Sequence, residues 1–405
     1  MKKIKSLQLP MVLIMSLILA VSFSCNTTSE TVSGLSVDTL ELADAKMQVY
    51  VDDGKLSGIS VLVLKDGKTV HQRTFGLAHM EEERVLEEDA IFRIYSMSKP
   101  ITAAALMMLY DEGKFQLDDP VAGYIPEFEE TKVWVDSEEV AQQEAFTIRH
   151  LLTHTAGFCY GSDVSHVDSL YAQASPQGLW GLGTLEEAVK LLATIPLKNQ
   201  PGSKYEYSVS IDVAGYLVEV LSGMPFDEFL QTRLFDPLGM KDTGFDVPEE
   251  DFGRLAMIYT IDQNTGELTP VEGLTNGVKQ KVTLFSGGGG LVSTIGDYGR
   301  FGQMLLNGGE LDGIRVLQES TVKMIMSDQI PSTATFQEGF GYGLGGRVNL
   351  TSGEYSWGGM ASTLFTADPK NNMVGLAFTQ YIPFMGVPFA TEYHDLLRKA
   401  LVDSK

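Results

Sequence analysis

Cysteine is scarce in this chain: Cys25 and Cys159 are its only two, so a disulfide framework is not what holds the fold together. Basic side chains are also few. Thirty Lys and Arg face 53 Asp and Glu, giving a net charge of −23. Such a surface repels phosphate backbones, and no basic stripe overrides it, which excludes nucleic acid as a partner. Long apolar runs are missing except at Met11 to Val21, a stretch too short for a comfortable membrane span. No glycine loop continues into Lys-Ser/Thr; Gly287 to Gly290 lacks that ending, so no phosphate cradle is expected. Ligand spacing for a metal is thin. His150 and His154 stand four apart, but no Glu follows the first, and Thr155-Ala156-Gly157 reads as a turn. Helix-end and loop hydrogen bonds are their expected roles, and neither metal nor cofactor is expected.

What remains is ordinary globular composition, with 44% hydrophobic and 20% charged residues. The length suits one composite catalytic unit or two closely packed domains. At the N-terminus Lys2, Lys3 and Lys5 precede the apolar run, which ends in Ser22-Phe23-Ser24-Cys25. This resembles a bacterial lipoprotein signal over residues 1–24, with Cys25 as the lipidated first residue and 25–36 as a Ser/Thr-rich tether. Ser22 departs from the usual Leu, so plain secretion is the other reading. Either way the expected location is the cell envelope. With Cys25 lipidated, Cys159 has no partner and reads as a small buried thiol.

Further along, Val37 to Val51 has helical apolar spacing. Ile59 to Leu64 and a second extended run to Phe75 flank Lys65-Asp66-Gly67-Lys68, a strong hairpin signal. Thr363 to Ala367 and Met373 to Thr379 flank a second turn, and Ala390 to Val402 reads as a closing helix. Between these ends lie helical patterns at Thr184 to Ala193, Asp212 to Leu221 and Phe226 to Phe235. The expected class is α+β. An antiparallel sheet is built from both chain ends with flanking helices (37–114 and 282–402), and a mainly helical domain (115–281) is inserted; 37–402 form the catalytic unit.

The chemistry gathers around Tyr95-Ser96-Met97-Ser98-Lys99-Pro100, followed by the apolar helix Ile101 to Leu109. Ser96 and Lys99 then sit three residues apart at a helix start, on one face. A serine hydroxyl needs a base, and a desolvated amine can serve. The first turn also offers free N–H groups to a developing oxyanion. The pattern alone is weak, because Ser320-Thr321-Val322-Lys323 satisfies it too; that second copy reads as chance on a surface helix.

Context decides between them. Tyr205-Glu206-Tyr207-Ser208-Val209 enters the helix near Asp212, and Trp357-Gly358-Gly359-Met360 is an extended run before the last hairpin. Thr147 to Phe158, Phe235 to Phe245 and Gly287 to Thr294 add three recognisable stretches. On these residues the chain, from about Val37 to Leu401, resembles the serine β-lactamase-related hydrolases: class C β-lactamases, DD-peptidases and esterases on the same scaffold. The resemblance implies a β-lactamase or penicillin-binding transpeptidase-like fold. It implies Ser96 as nucleophile, with Lys99 and Tyr207 handling its proton, and leaves open which of the two is the base. It implies the N–H groups of Ser96 and Met360 as oxyanion hole, and Trp357, Gly358, Gly359 and Val209 as the substrate-facing wall.

Two departures matter. Members active on penicillins usually carry Asn where Val209 stands, and Lys or His where Trp357 stands. Both changes remove polar recognition of an acylamide or a carboxylate while sparing the acylation machinery. The expectation is therefore an esterase-type acyl hydrolase for small or medium acyl substrates. The alternatives are β-lactamase or D-amino-acid peptidase activity, acyl transfer, or a non-catalytic envelope-binding lipoprotein. The expected partners are a neutral ester, amide or β-lactam-like small molecule, and a membrane through Cys25.

Overall fold

The computed structural model describes residues 31–174 and 183–402. The leader, Cys25 and the first half of the tether, residues 25–30, lie outside the described residues.

Helix α1, Val37–Asp52, opens on Ser36, whose side chain accepts the Thr39 N–H, and turns Leu40, Ala43, Met47 and Tyr50 inward. Strands β1, Gly58–Lys65, and β2, Lys68–His79, follow. Asp66 (φ +53°) and Gly67 (φ +75°) are both left-handed, the geometry a two-residue hairpin needs. Short strands β3, Arg84–Val85, and β4, Ile91–Arg93, lead into α2, Ser98–Asp111.

The middle of the chain supplies α3, Ile148–Leu152, α4, Leu185–Ala193, α5, Ser210–Ser222, and α6, Phe226–Leu230. The pattern at Phe226 to Phe235 predicts one helix, but a π-helical turn takes over at Gln231–Phe235. Then come β5, Val292–Thr294, and α7, Ile295–Leu306. The last strands are β6, Phe340–Tyr342, β7, Arg347–Asn349, β8, Tyr355–Gly359, β9, Thr363–Asp368, and β10, Met373–Phe378. Helix α8, Phe389–Ala400, closes the chain.

Both chain ends build one sheet, in the order β6-β7-β8-β9-β10-β1-β2-β3. Its centre is the antiparallel pairing of β10 with β1, from Met373↔Lys65 to Phe378↔Ser60. One face is covered by α1 and α8 and the other by α7. Gly299 and Gly302 let α7 approach closely. A Cβ on Gly302 would lie 2.7 Å from Phe365 and 2.9 Å from Val374. The chain ends are also joined directly, since the Val402 N–H donates to Gly34 O at 3.0 Å.

Helices α3 to α6 form the inserted part, and α2 is its inner wall, packed against α5. The stretch from Leu255 to Pro270, within the expected insert, runs along the sheet instead. Ala256 N–H bonds Ile91 O, Met257 N–H bonds Ala78 O, and Tyr259 pairs beside Tyr381. Its backbone donors find those partners only there. The second Ser-x-x-Lys lies on the helix Glu319–Ile325, where exposed Lys323 pairs with Glu319.

Candidate active site

The turn carrying Ser96 is held from several sides. β4 pairs with β5, and Ile94 N–H continues the ladder to Leu291 O. A 3₁₀ turn, Tyr95–Met97, then precedes α2, so Ser96 stands just before the helix and not inside its first turn. Tyr95 has φ +42°, an uncommon backbone for a bulky residue. Three bonds hold it there. Ser98 Oγ donates to Tyr95 O (2.6 Å) and accepts from Leu291 N–H (3.1 Å), while Tyr298 Oη donates to Met97 O (2.8 Å). A strained turn persists only when its surroundings over-determine it, and this one presents the nucleophile candidate to the cleft.

Lys99 is fully buried, and its Nζ donates to Ser96 Oγ at 3.1 Å and to Gly288 O at 2.7 Å. Tyr207 Oη lies 2.7 Å from the same Oγ. Lys99 Nζ also sits 4.5 Å from the centre of the Tyr207 ring. Gly288 fits only as glycine here, because a Cβ would lie 2.5 Å from Asp212 Oδ2.

Strand β8 abuts the Ser96 turn: a Cβ on Gly359 would collide with the Ile94 carbonyl oxygen. This contact carries Met360 to the cleft, and its N–H has no hydrogen-bond partner among the described residues. Trp357 points to the same side, its ring 5.6 Å from Tyr207 and 5.1 Å from Tyr342. Gly358 points the other way, since alternation along a strand turns it toward Phe384 on the opposite face. Val209 is likewise directed away. It is 1% exposed and packs in an apolar recess with Leu185, Leu192 and Leu284. Of the expected wall, Trp357 stands beside Tyr207 and Gly359 against the turn that carries Ser96, while Gly358 and Val209 serve packing.

His154 and Tyr160 complete the surroundings. The wholly buried His154 ring lies 4.8 Å from Tyr207, and its Nδ1 accepts the Ser208 N–H, which leaves its proton on Nε2. Burial, then the charge of Lys99, pushes this imidazole well below its ordinary range, so it is neutral. His150 caps α3 by accepting the Thr147 N–H. Tyr160 packs 5.3 Å from the Tyr207 ring and 5.6 Å from Lys99 Nζ. Burial, then the neighbouring Tyr207, raises its phenol well above the ordinary value. Lys198 clasps the two loops that bear Tyr160 and Tyr207, reaching Asp163 (2.8 Å), Asp168 (3.1 Å) and Glu206 (3.1 Å). Cys159 is buried beside them, its thiol pushed up to about 12 by burial.

Asp212 and Tyr160 escape a reading of sequence. Asp212 had one signal, an acid in the first turn of a mostly apolar helix; Tyr160, after the His154 stretch, had none. Among the described residues no group of three or more His, Cys, Asp or Glu side chains is placed to hold a metal ion.

Chemically, the arrangement can activate a hydroxyl, hold its proton and receive an oxyanion on backbone N–H groups. The family model described as Beta-lactamase matches residues 43–395. Protein Rv1367c of Mycobacterium tuberculosis is 32% identical over 375 residues, 85% of this chain and 91% of its own length. Esterase EstB of Burkholderia gladioli is 34% identical over 232 residues, 56% of this chain and 57% of its own. Among solved structures, EstCE1, a hydrolase with promiscuous acyltransferase activity, superposes with a TM-score of 0.74 at 26% identity, covering 90% of this chain and 98% of that one.

Proposed function

Given that the chain belongs to the Beta-lactamase family, we propose that this hydrolase is an esterase-type serine enzyme working through an acyl-enzyme on Ser96. The observation that carries the reading is the convergence of Lys99 Nζ and Tyr207 Oη on one oxygen, Ser96 Oγ, at 3.1 and 2.7 Å. Ser96 Oγ attacks the acyl carbonyl and passes its proton to the Tyr207–Lys99 pair. The N–H groups of Ser96 and Met360 receive the oxyanion, each worth about 10²–10³ in rate. The pair then returns the proton to the departing alcohol, and water activated by the same pair frees the serine.

The substrate is a neutral ester. Trp357 offers an apolar aromatic wall where a cation would otherwise hold an anionic group, and esterase EstB supports this choice within the family. Acyl transfer is the second reading, favoured by the likeness to EstCE1, because an acceptor alcohol and water compete for one acyl-enzyme. The enzyme is exported and anchored in the cell envelope by lipid on Cys25, a reading that rests on the Lys2–Cys25 leader. An intact-mass increase on an N-terminal peptide starting at Cys25 would support it; a chain retaining residues 1–24 would not.

The test of function uses the full chain in detergent with p-nitrophenyl butyrate, nitrocefin and the Ser96→Ala variant. Ester turnover that vanishes in Ser96→Ala, with nitrocefin left intact, is the expected result. Rapid nitrocefin turnover would restore β-lactamase as the activity. Turnover that survives in Ser96→Ala would remove Ser96 from the mechanism.

A further inference from the structure

Gly288 is gripped at both ends. Its carbonyl accepts from Lys99 Nζ at 2.7 Å, and its N–H donates to Asp212 Oδ1 at 2.9 Å. Ser286 Oγ donates to the same carboxylate oxygen at 2.7 Å. Asp212 stands in the first turn of α5 and is buried, and its Oδ2 has no hydrogen-bond partner among the described residues.

A helix start favours an acid, but a serine or an asparagine would serve that end of a helix without burying a charge. A carboxylate with one oxygen unpaired in the interior is costly unless a nearby charge balances it. Burial raises this carboxyl above its usual range, against the pull of Ser286, of the Gly288 N–H and of the Lys99 charge. No Lys or Arg forms an ion pair with it among the described residues, so Lys99, beyond Gly288, is the cation it feels. The contact is built tightly. A Cβ on Gly288 would press on the carboxylate, while on the other side of the same loop Thr102 Oγ1 donates to Gly287 O at 2.7 Å.

We propose that Asp212 is a positioning residue for acyl transfer: it fixes the Gly288 carbonyl on Lys99 and balances the Lys99 ammonium. Held so, Lys99 Nζ stays on Ser96 Oγ beside Tyr207 Oη, and the serine proton passes to the Tyr207–Lys99 pair. The O–H bond of Ser96 breaks and its proton is taken by the pair, Oγ closes on the acyl carbon, and the carbonyl π pair moves onto the oxygen that the Ser96 and Met360 N–H groups receive. The inference rests on Ser96 being the acylated residue.

The experiment measures Ser96 labelling by an alkyl fluorophosphonate, followed by intact mass, alongside ester kcat and KM, in the full-length protein. Asp212→Asn keeps the shape and an acceptor for Ser286 and Gly288, removes the charge and puts an NH2 group in place of Oδ2. Expected are a cooperative melt like that of wild type, labelling and kcat lowered about 10²-fold, and an unchanged KM. In a Tyr207→Phe background the same substitution should add little, since both act through one unit. Labelling and kcat equal to wild type in Asp212→Asn would overturn the inference while leaving the esterase reading intact. A wild-type chain that never labels at Ser96 would overturn both. Should Asp212→Asn fail to fold, Ser286→Ala replaces it: a smaller loss of kcat at constant KM supports the proposal, and no loss overturns it.

Discussion

Lys198 Nζ lies 3.1 Å from the carboxylate of Glu206, one residue before Tyr207, and bonds Asp163 on the loop that carries Tyr160 and Asp168 in the helix that follows it, His166–Ala174. Asp168 is nearly inaccessible, so this clasp is partly buried. Lys198→Met would leave the enclosed Asp168 without its cation, and Glu206 with Lys204 alone. The expected outcome is a loss of about 1–3 kcal/mol in urea unfolding, discounted from a fully buried pair because Asp163 is exposed. A parallel fall in ester kcat should accompany it, as both tyrosine loops loosen.

Tyr160 adds a phenol beside Tyr207 and Lys99. Tyr160→Phe keeps the ring packing and removes the hydroxyl. Steady-state kinetics should show kcat falling about tenfold, the scale of one hydrogen bond near ~1.4 kcal/mol, with KM little changed. An unchanged kcat would make Tyr160 a packing residue.

Trp357→Ala removes the aromatic wall stacked near Tyr207 and Tyr342. In the proposed reading, where this ring is the wall for the acyl group, the substitution should raise KM for p-nitrophenyl butyrate severalfold while kcat falls less. The opposite split would place Trp357 in the chemistry.

Stability should fall on mild acidification. His154, His150 and His394 are held below their ordinary value of 6.5, in each case first by burial. The unfolded chain therefore binds protons there before the native one does. The stability these histidines contribute is complete above about pH 6.5 and lost as pH drops below it, by up to about 1.4 kcal/mol per unit for each. Thermal melts at pH 7.5 and 5.5 test this. His154→Asn, in which the buried group no longer titrates, should flatten the slope.

Much of this protein was legible in its residues, and the rest was hidden for identifiable reasons. Asp66-Gly67 announced the first hairpin because few other pairs tolerate two left-handed conformations in succession. Ser96 and Lys99 could be marked as candidates from their spacing at a helix start, whereas Tyr207 entered only through the family resemblance. Side-chain direction was not legible. Strand alternation turns Gly358 toward Phe384, and the entry of α5 turns Val209 into the core; neither follows from composition. Nor could spacing place Asp212 beside Gly288, since that contact spans 76 residues of chain. Leu255 to Pro270 left the insert for a separate three-stranded sheet with Tyr381–Ile382, because its hydrogen-bond partners lie near both ends of the sequence.

The pairing of β1 with β10 also sets an order of events in time. Thr379 Oγ1 donates to Gly58 O across 321 residues, and β1 has its central partner only once β10 exists. A ribosome must release nearly the whole chain before this sheet can close. Folding therefore waits on one long-range encounter and should be slow for the chain's size. Until that encounter the apolar strand β1 keeps an open edge. A chain cut short before Met373 would keep that edge permanently and should be recovered as aggregate, not as a smaller enzyme.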